Sequence, residues 1–221
     1  MRALLAALLT TVLVSCTGDV APTEAPEAAE QSPVAPAAAP PAESCALSTA
    51  AEGQQLTWTA FKFTERLGVE GSFDTITTTP GTPGDAAWKA IDRMTFQIDT
   101  ASVNTGNPGR DDKIRQHFFG SLENFQTISG RIKANSPGKA TLFIEMNGQR
   151  HSVVADVSPV AEGVALTGTI DVEQWGAGPA IAALNEACGA VHTGEDGVSK
   201  LWPQVEPVSY THLTLPTICS V

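Results

Sequence analysis

Between residues 55 and 206 the chain repeats short segments in which apolar and polar side chains alternate, with a turn sequence after each. Met94, Phe96 and Ile98 alternate with polar neighbours, which places the three on one face of a strand. Asn147-Gly148 is the strongest hairpin signal in the chain. Eight such segments are predicted as strands: residues 55–63, 68–76, 90–99, 127–134, 140–146, 151–157, 164–172 and 197–206. This pattern predicts an all-β fold, an eight-stranded antiparallel barrel wide enough for one small ligand.

Two short helices interrupt the strands. Residues 110–119 follow a dense turn sequence at 105–109 and end in two phenylalanines, so we expect this helix to close the mouth of the barrel. Residues 179–189 begin with Pro and end with Gly, which predicts a second helix. This helix could cover the outer face of strand 55–63. The sequence leaves open which face of that strand points inward, because apolar residues occur on both faces.

The apolar residues of the strands and of the first helix are the candidate ligand-binding residues. They are Trp58, Phe61, Phe73, Met94, Phe96, Ile98, Phe118, Phe119, Leu142, Ile144, Met146, Val153, Ala155, Leu166 and Ile170. Alternation alone does not separate an open cavity from a filled core. Small residues at inward positions, such as Ala155 and Gly168, and the flexible thioethers of Met94 and Met146 favour open space. We therefore expect a hydrophobic small molecule inside the barrel.

Three charged residues at the start of the first helix could hold the polar head group of that ligand: Arg110, Asp111 and Arg115. The alternative is that Asp111 caps the helix and that the two arginines are solvated. The sequence does not decide between these interpretations.

Both ends of the chain differ from the predicted barrel. Residues 1–15 are typical of a signal peptide, and Leu13-Val14-Ser15-Cys16 resembles the bacterial lipobox, in which the cysteine carries the lipid anchor. Residues 16–44 combine this Cys16 with a Pro-, Ala- and Glu-rich stretch that predicts a disordered tether. The anchor implies the cell envelope, and Thr17 favours the periplasmic face of the outer membrane. Residues 207–221 hold no charged side chain and are interpreted as a non-native tail, with a genuine strand as the alternative.

The charge and the cysteines of residues 45–206 limit the possible partners. This region carries 12 Lys and Arg against 19 Asp and Glu, a net charge of −7, which makes nucleic-acid binding unfavourable. With Cys16 assigned to lipid and Cys219 to the tail, Cys45 and Cys188 are predicted to form a disulfide, with two free thiols as the alternative. No histidines stand at metal-ligand spacing, and no catalytic set of residues is recognisable, so we expect neither a metal nor an enzyme.

A longer run resembles a known family. Val103-Asn104-Thr105-Gly106-Asn107, followed by Arg110-Asp111, Ile114-Arg115 and Phe118-Phe119, is similar to the signature of the YceI-like family. Trp58-Thr59-Ala60-Phe61-Lys62 and the hairpin at Asn147-Gly148 resemble its strands, and the resemblance covers residues 50–206. It implies a lipocalin-like barrel, periplasmic or secreted, that holds a polyisoprenoid chain such as a quinone tail. The chain departs from the family pattern at residues 126–130 and in the helix at 179–189.

The resulting functional hypothesis is a lipid-anchored carrier that sequesters an isoprenoid- or quinone-like lipid without covalent chemistry. It uses no cofactor other than this bound lipid. The alternative is a barrel with a filled core that serves as a surface interaction module. A cavity below about 300 Å³ would favour that alternative.

Overall fold

A computed structural model describes residues 45–215, which form an antiparallel β-barrel with a few short helices. The strands are β1 Ser48–Thr49, β2 Gln55–Lys62, β3 Leu67–Phe73, β4 Ile76–Thr79, β5 Thr95–Asp99, β6 Val103–Asn104, β7 Thr127–Ser136, β8 Lys139–Met146, β9 Gln149–Val160, β10 Gly163–Thr167, β11 Ile170–Asp171 and β12 Leu201–Thr214. The helices are α1 Ala87–Ala90, α2 Pro108–Lys113, α3 Gly178–Ala187 and α4 Gly189–His192. A π segment covers Ile114–Phe118, and 3-10 turns cover Thr100–Ser102, Phe119–Ser121 and Val172–Trp175.

Eleven of the twelve strands of the described region form eight longer chain segments that overlap the eight predicted ones, and the short β1 is additional. Hydrogen-bonded neighbours run in the order β4-β5-β7-β8-β9-β10-β12-β2-β3-β6. The path begins with β4 and β5 and ends with β3 and β6. Along the chain, β3 continues into β4 and β5 continues into β6, so each pair forms one bent segment that belongs to both ends of the path. Backbone hydrogen bonds from Asp74 N to Ser102 O (3.0 Å) and from Asp99 N to Thr75 O (3.1 Å) continue the pairing across both bends. The path therefore returns on itself and the sheet curls into a barrel, which confirms the predicted fold class.

The predicted hairpin at Asn147-Gly148 is confirmed in detail. Both residues have positive φ, 52° and 70°, which is the requirement of a type I′ turn. Pairing starts at once, with Met146 opposite Gln149. Asn147 also has a role that its turn propensity does not indicate. Its side chain donates to Trp175 O at 2.8 Å and accepts from Glu123 N at 2.8 Å.

Some predicted boundaries are wrong. The strand predicted from residue 90 begins at Thr95, because Ala87–Ala90 forms a helical turn and Arg93 adopts a left-handed φ of 64° that stops any strand there. The strand predicted to end at residue 76 is followed by β4, which runs to Thr79 and pairs with β5. The helix predicted at 110–119 begins two residues earlier and changes to π geometry at Ile114.

The predicted disulfide between Cys45 and Cys188 is wrong. Cys188 is a free, buried thiol at the end of α3. Cys45 is held in a disulfide that does not involve Cys188. Sequence alone does not fix which cysteines pair, because the pairing depends on distances that only the fold sets.

The last strand completes the barrel. β12 pairs with β2 through Val205 to Tyr210 and with β10 through Val208 to His212. Residues 207–214 of the suspected tail thus occupy a position between two strands, and their non-native origin stays a prediction.

The signal peptide at 1–15, the anchor Cys16, the tether to residue 44 and Cys219 lie outside the described residues. Within residues 45–215 no helix is long and apolar enough to span a membrane.

Candidate ligand cavity

A cavity of about 750 Å³ lies inside the barrel. Two clusters of buried side chains contribute to its wall. One is built around Trp175 and Phe119, and the other around Ile91 and Met94 next to α1. The volume falls in the range of pockets that enclose small-molecule ligands. The interior of this barrel is therefore open, not filled.

The structure shows which face of β2 points inward. Leu56, Trp58, Ala60 and Lys62 all line the cavity, as the period of two in a strand requires. Phe61 also reaches the lining near the end of the strand, where the Arg66 guanidinium stacks on its ring at 4.5 Å. The inner wall at β2 is thus formed mainly by the Trp58 and Ala60 face.

Two glycines in the wall make room for aromatic rings. Gly71 lies directly opposite Trp58 across the β2–β3 pair. Gly130 lies opposite Phe96, and a Cβ at Gly130 would stand 2.5 Å from Cζ of that ring. Gly130 belongs to residues 126–130, where the chain departs from the pattern that it resembles. Here the departure allows Phe96 to lie flat against β7.

One end of the cavity is covered by helices from two parts of the chain. The π segment contributes Ile114 and Phe118, and α3 contributes Ile181 and Leu184. α3 packs on the π segment and on β12. The rings of Phe118 and Phe119 meet edge to face at 5.1 Å between centroids. The expected closing role of the first helix agrees with this position. α3 also lies over the opening, with Ile181 and Leu184 turned to the cavity.

The charged groups that line the cavity lie at this helix-covered end. Lys62 ends β2, and its Nζ donates to Val191 O at 3.0 Å. His192 in α4 is buried, and its Nδ1 lies 3.1 Å from Asn185 Oδ1, an acceptor, so Nδ1 carries the proton. Burial, together with the positive charges of Lys62 and Lys113, lowers the pKa of His192 to about 4. His192 is therefore neutral at pH 7.

Two polar side-chain atoms of lining residues are buried without a hydrogen-bond partner. Gln54 Oε1 and Thr78 Oγ1 are buried and have no hydrogen-bond partner within the described residues, and both residues belong to the lining. Gln54 immediately precedes β2, so it lies at the opposite end of that strand from Lys62. A polar atom in such a place normally binds water or a ligand. The interior is mainly apolar with a few polar groups at its ends.

A family model described as the YceI-like domain matches residues 48–198. The chain belongs to the YceI-like domain family. No curated protein matches it. Among solved structures, a polyisoprenoid binding domain from Saccharophagus degradans is similar with a TM-score of 0.54 and 15% identity, covering 78% of this chain and 99% of that chain. Burkholderia cenocepacia BcnA is similar with a TM-score of 0.52 and 16% identity, covering 73% of this chain and 96% of that chain. At these identities the likeness shows the fold.

Most of the candidate ligand-binding residues of this YceI-like domain face the cavity. Thirteen line it: Trp58, Phe61, Phe73, Met94, Phe96, Ile98, Phe118, Phe119, Leu142, Ile144, Met146, Leu166 and Ile170. Val153 and Ala155 do not. Val153 packs against the cluster that contains Trp175, and Ala155 is buried on the same face of β9. That the other thirteen touch a ligand stays a prediction.

The rim residues of the YceI-like signature separate into different roles. Arg110 lines the cavity. Asp111 is buried and accepts hydrogen bonds from the backbone N and the hydroxyl of Thr105, at 2.9 and 2.5 Å. Arg115 donates to Ala101 O, to Val103 O and to Asp112. Neither Asp111 nor Arg115 lines the cavity, and the α2 cap is Asn107 instead of Asp111. In this chain, two of the signature residues, Asp111 and Arg115, therefore fix the helix that covers the cavity.

Several lining residues were missed from the sequence. Trp175, Ile181, Leu184, His192 and Trp202 all line the cavity of this YceI-like domain. All but Trp202 come from α3, α4 and a 3-10 turn, which strand alternation does not cover, while Trp202 lies in the strand predicted at 197–206. One signal was available: Ile181, Leu184 and Cys188 are spaced three and four apart, which predicts one apolar helix face. Within residues 45–215 no group of three or more His, Cys, Asp or Glu could hold a metal ion.

Proposed function

We propose that this protein binds a long apolar lipid, of isoprenoid or quinone type, inside the barrel and carries it without covalent chemistry. The observation that carries the proposal is the open cavity of about 750 Å³ inside a barrel of the YceI-like family. One structural neighbour is named a polyisoprenoid binding domain, which supports the choice of ligand class. The driving force is the burial of apolar ligand surface at roughly 25 cal/mol per Å².

The cavity sets a scale for the affinity. At liquid density, about 30 Å³ per water, the space would hold on the order of 25 non-hydrogen atoms. At roughly 0.3 kcal/mol per atom, a typical efficiency for ligands of this size, binding would contribute about 7–8 kcal/mol. This corresponds to a dissociation constant in the low micromolar range.

We also propose where the protein acts. The lipobox-like Cys16 and the tether to residue 44 support a barrel anchored at the cell envelope, on the periplasmic face of the outer membrane. From there the barrel would exchange lipid with the membrane to which it is attached. Labelling cells with an alkyne fatty acid tests the anchor, since a Cys16→Ser variant should lose the label.

The filled-core interaction module receives no support from the interior. It required a cavity below about 300 Å³, and the cavity here is more than twice that size. The carrier is therefore the function that the geometry favours.

The decisive experiment combines lipid analysis with a cavity-filling variant. Full-length protein purified from membranes should yield co-extracted isoprenoid lipid by mass spectrometry. Ala60→Trp places an indole in the cavity and should abolish this co-extraction, while the protein stays folded. Thr57→Trp adds the same bulk to an exposed position on the same strand and should retain the lipid. Absence of lipid from the wild-type protein, together with no binding of added farnesol, would overturn the proposal.

A further inference from the structure

The charged residues that line the cavity all carry the same sign. Lys62, Arg110 and Lys113 belong to the lining, and among the described residues no Asp or Glu does. This distribution is unexpected in a region whose net charge is −7. The chain therefore concentrates positive charge where a ligand would lie.

The basic residues come from separate elements that meet at the covered end. Lys62 ends β2, while Arg110 and Lys113 lie on α2. Lys113 directly precedes the π segment on which α3 packs, and the charges of both lysines contribute to the lowered pKa of His192. Lys62 is held in position by its hydrogen bond to Val191 O. This arrangement is a property of the folded chain and not of one exposed helix.

These three cations have no carboxylate partner. Within residues 45–215 none of them forms an ion pair of 4.0 Å or less, whereas Arg115 beside them is paired with Asp112 at 2.6 Å. Nearby acids are engaged elsewhere: Asp111 binds Thr105, and Asp196 accepts from Thr64 at 2.7 Å. Hydrogen bonds between an ammonium or guanidinium group and an oxyanion are about twice as strong as neutral ones. An anion at this end of the cavity would find donors that the protein itself does not satisfy.

We propose that the preferred ligand is an acidic amphiphile, in which an apolar chain fills the barrel and a terminal carboxylate or phosphate lies against Lys62, Lys113 and Arg110. This inference rests on the proposed lipid-binding function and adds the chemistry of the head group. A neutral quinone ring would leave the three cations unpaired. An acidic head group would neutralise them while the chain occupies the apolar part of the cavity.

The test compares ligands that share one chain and differ in the head group. Full-length protein, freed of co-purified lipid, is titrated with farnesyl phosphate, farnesoic acid and farnesol, and binding is followed by the quenching of Trp fluorescence. Trp58, Trp175 and Trp202 all line the cavity, so bound ligand should change their emission. Both acids should bind about tenfold or more tightly than farnesol, in keeping with charge-assisted hydrogen bonds. The difference should shrink as ionic strength is raised.

Variants then assign the preference to the basic residues. The double variant Lys62→Gln/Lys113→Gln should lose the preference, so that it binds the acids no more tightly than it binds farnesol. Lys133→Gln removes one positive charge at an exposed position of β7 outside the cavity lining, and should leave the acid preference intact. Inorganic phosphate alone at millimolar concentration should neither quench nor compete.

Each possible result decides one question. Equal affinities for farnesol and both acids would overturn the acidic-head-group inference and leave the carrier function standing. Binding of inorganic phosphate without a chain would also overturn it, because the site would then be one for a free ion. Failure of all three farnesyl ligands to bind would count against the proposed function itself. A preference for the acids that survives in the double variant would contradict the assignment to Lys62 and Lys113.

Discussion

The indole of Trp58 occupies the space that a side chain at Gly71 would need: a Cβ at Gly71 would stand 2.2 Å from Trp58 Cζ2. The two residues are directly opposed across β2 and β3. The Trp58 ring also packs against Phe73, with 6.4 Å between ring centroids. Atoms of a rigid indole cannot give way as the end of a flexible chain can. The position of one wall of the cavity therefore depends on the absence of a side chain on the next strand.

Gly71→Ala should consequently destabilise the barrel. Overpacking of this kind typically costs about 1–3 kcal/mol, and movement of Trp58 into the cavity should also weaken lipid binding. Urea denaturation and a lipid titration measure the two effects. Gly189→Ala is the control, since nothing lies within 4 Å of its added Cβ, and its stability should stay within about 0.5 kcal/mol of wild type. Equal stability of both variants would contradict the role of Gly71.

The two roles of Asn147 can be separated by two substitutions. Asn147→Gly keeps the positive φ of the turn but removes the hydrogen bonds to Trp175 O and from Glu123 N, which should cost about 1–3 kcal/mol. Asn147→Ala adds the strain of a left-handed alanine, a further cost of about 1 kcal/mol. Chemical denaturation should therefore rank wild type above the glycine variant and the glycine variant above the alanine variant. If the glycine variant matches wild type, the side-chain hydrogen bonds contribute nothing.

The low pKa of His192 should make stability depend on pH. Its pKa is about 4 in the folded protein and near 6.5 when unfolded, so the unfolded chain binds the extra proton between these values. The stabilisation is complete above about pH 6.5 and is lost as pH falls towards 4, on the order of 2 kcal/mol in total. Unfolding free energies measured from pH 4.5 to 7.5 should show this slope in wild type. His192→Gln should flatten it, and an unchanged slope would disprove the assignment.

Cys188 should report on occupancy of the cavity. Its thiol is buried and lines the cavity, while Cys45 is already in a disulfide. A polar thiol reagent should therefore modify the native protein at least about tenfold more slowly than the denatured protein, because reaction requires local opening. Bound lipid should slow the reaction further. Cys188→Ser supplies the background rate, and modification that is indifferent to saturating lipid would place the thiol outside the site.

Local patterns of sequence predicted the barrel better than they predicted its lid. The Asn147-Gly148 turn and the alternation at Phe96 and Ile98 are short-range signals, and short-range geometry fixes what they specify. The strand predicted from residue 90 begins only at Thr95, because Arg93 has a left-handed backbone conformation that alternation does not indicate and that the surrounding fold stabilises. The inward face of β2 was undecidable because Trp58 and Phe61, on opposite faces, are equally apolar.

The polar end of the cavity depends on contacts between distant segments. Lys62 and Val191 are 129 residues apart, and no pattern around either residue indicates that they meet. His192 shows the same limit: Glu195 and Asp196 follow it closely in the sequence, and nothing there indicates that it is buried. In the fold, Lys200 N, just before β12, donates to His192 O at 3.1 Å.

The position of β12 has a consequence for how the protein behaves in solution. It is the strand that keeps β2 and β10 from having unpaired backbone N–H and C=O groups. A chain that ended before Pro207 would expose two facing sheet edges, and such edges pair readily with other chains. Residues 207–214, whatever their origin, thus act as protection against edge-to-edge aggregation.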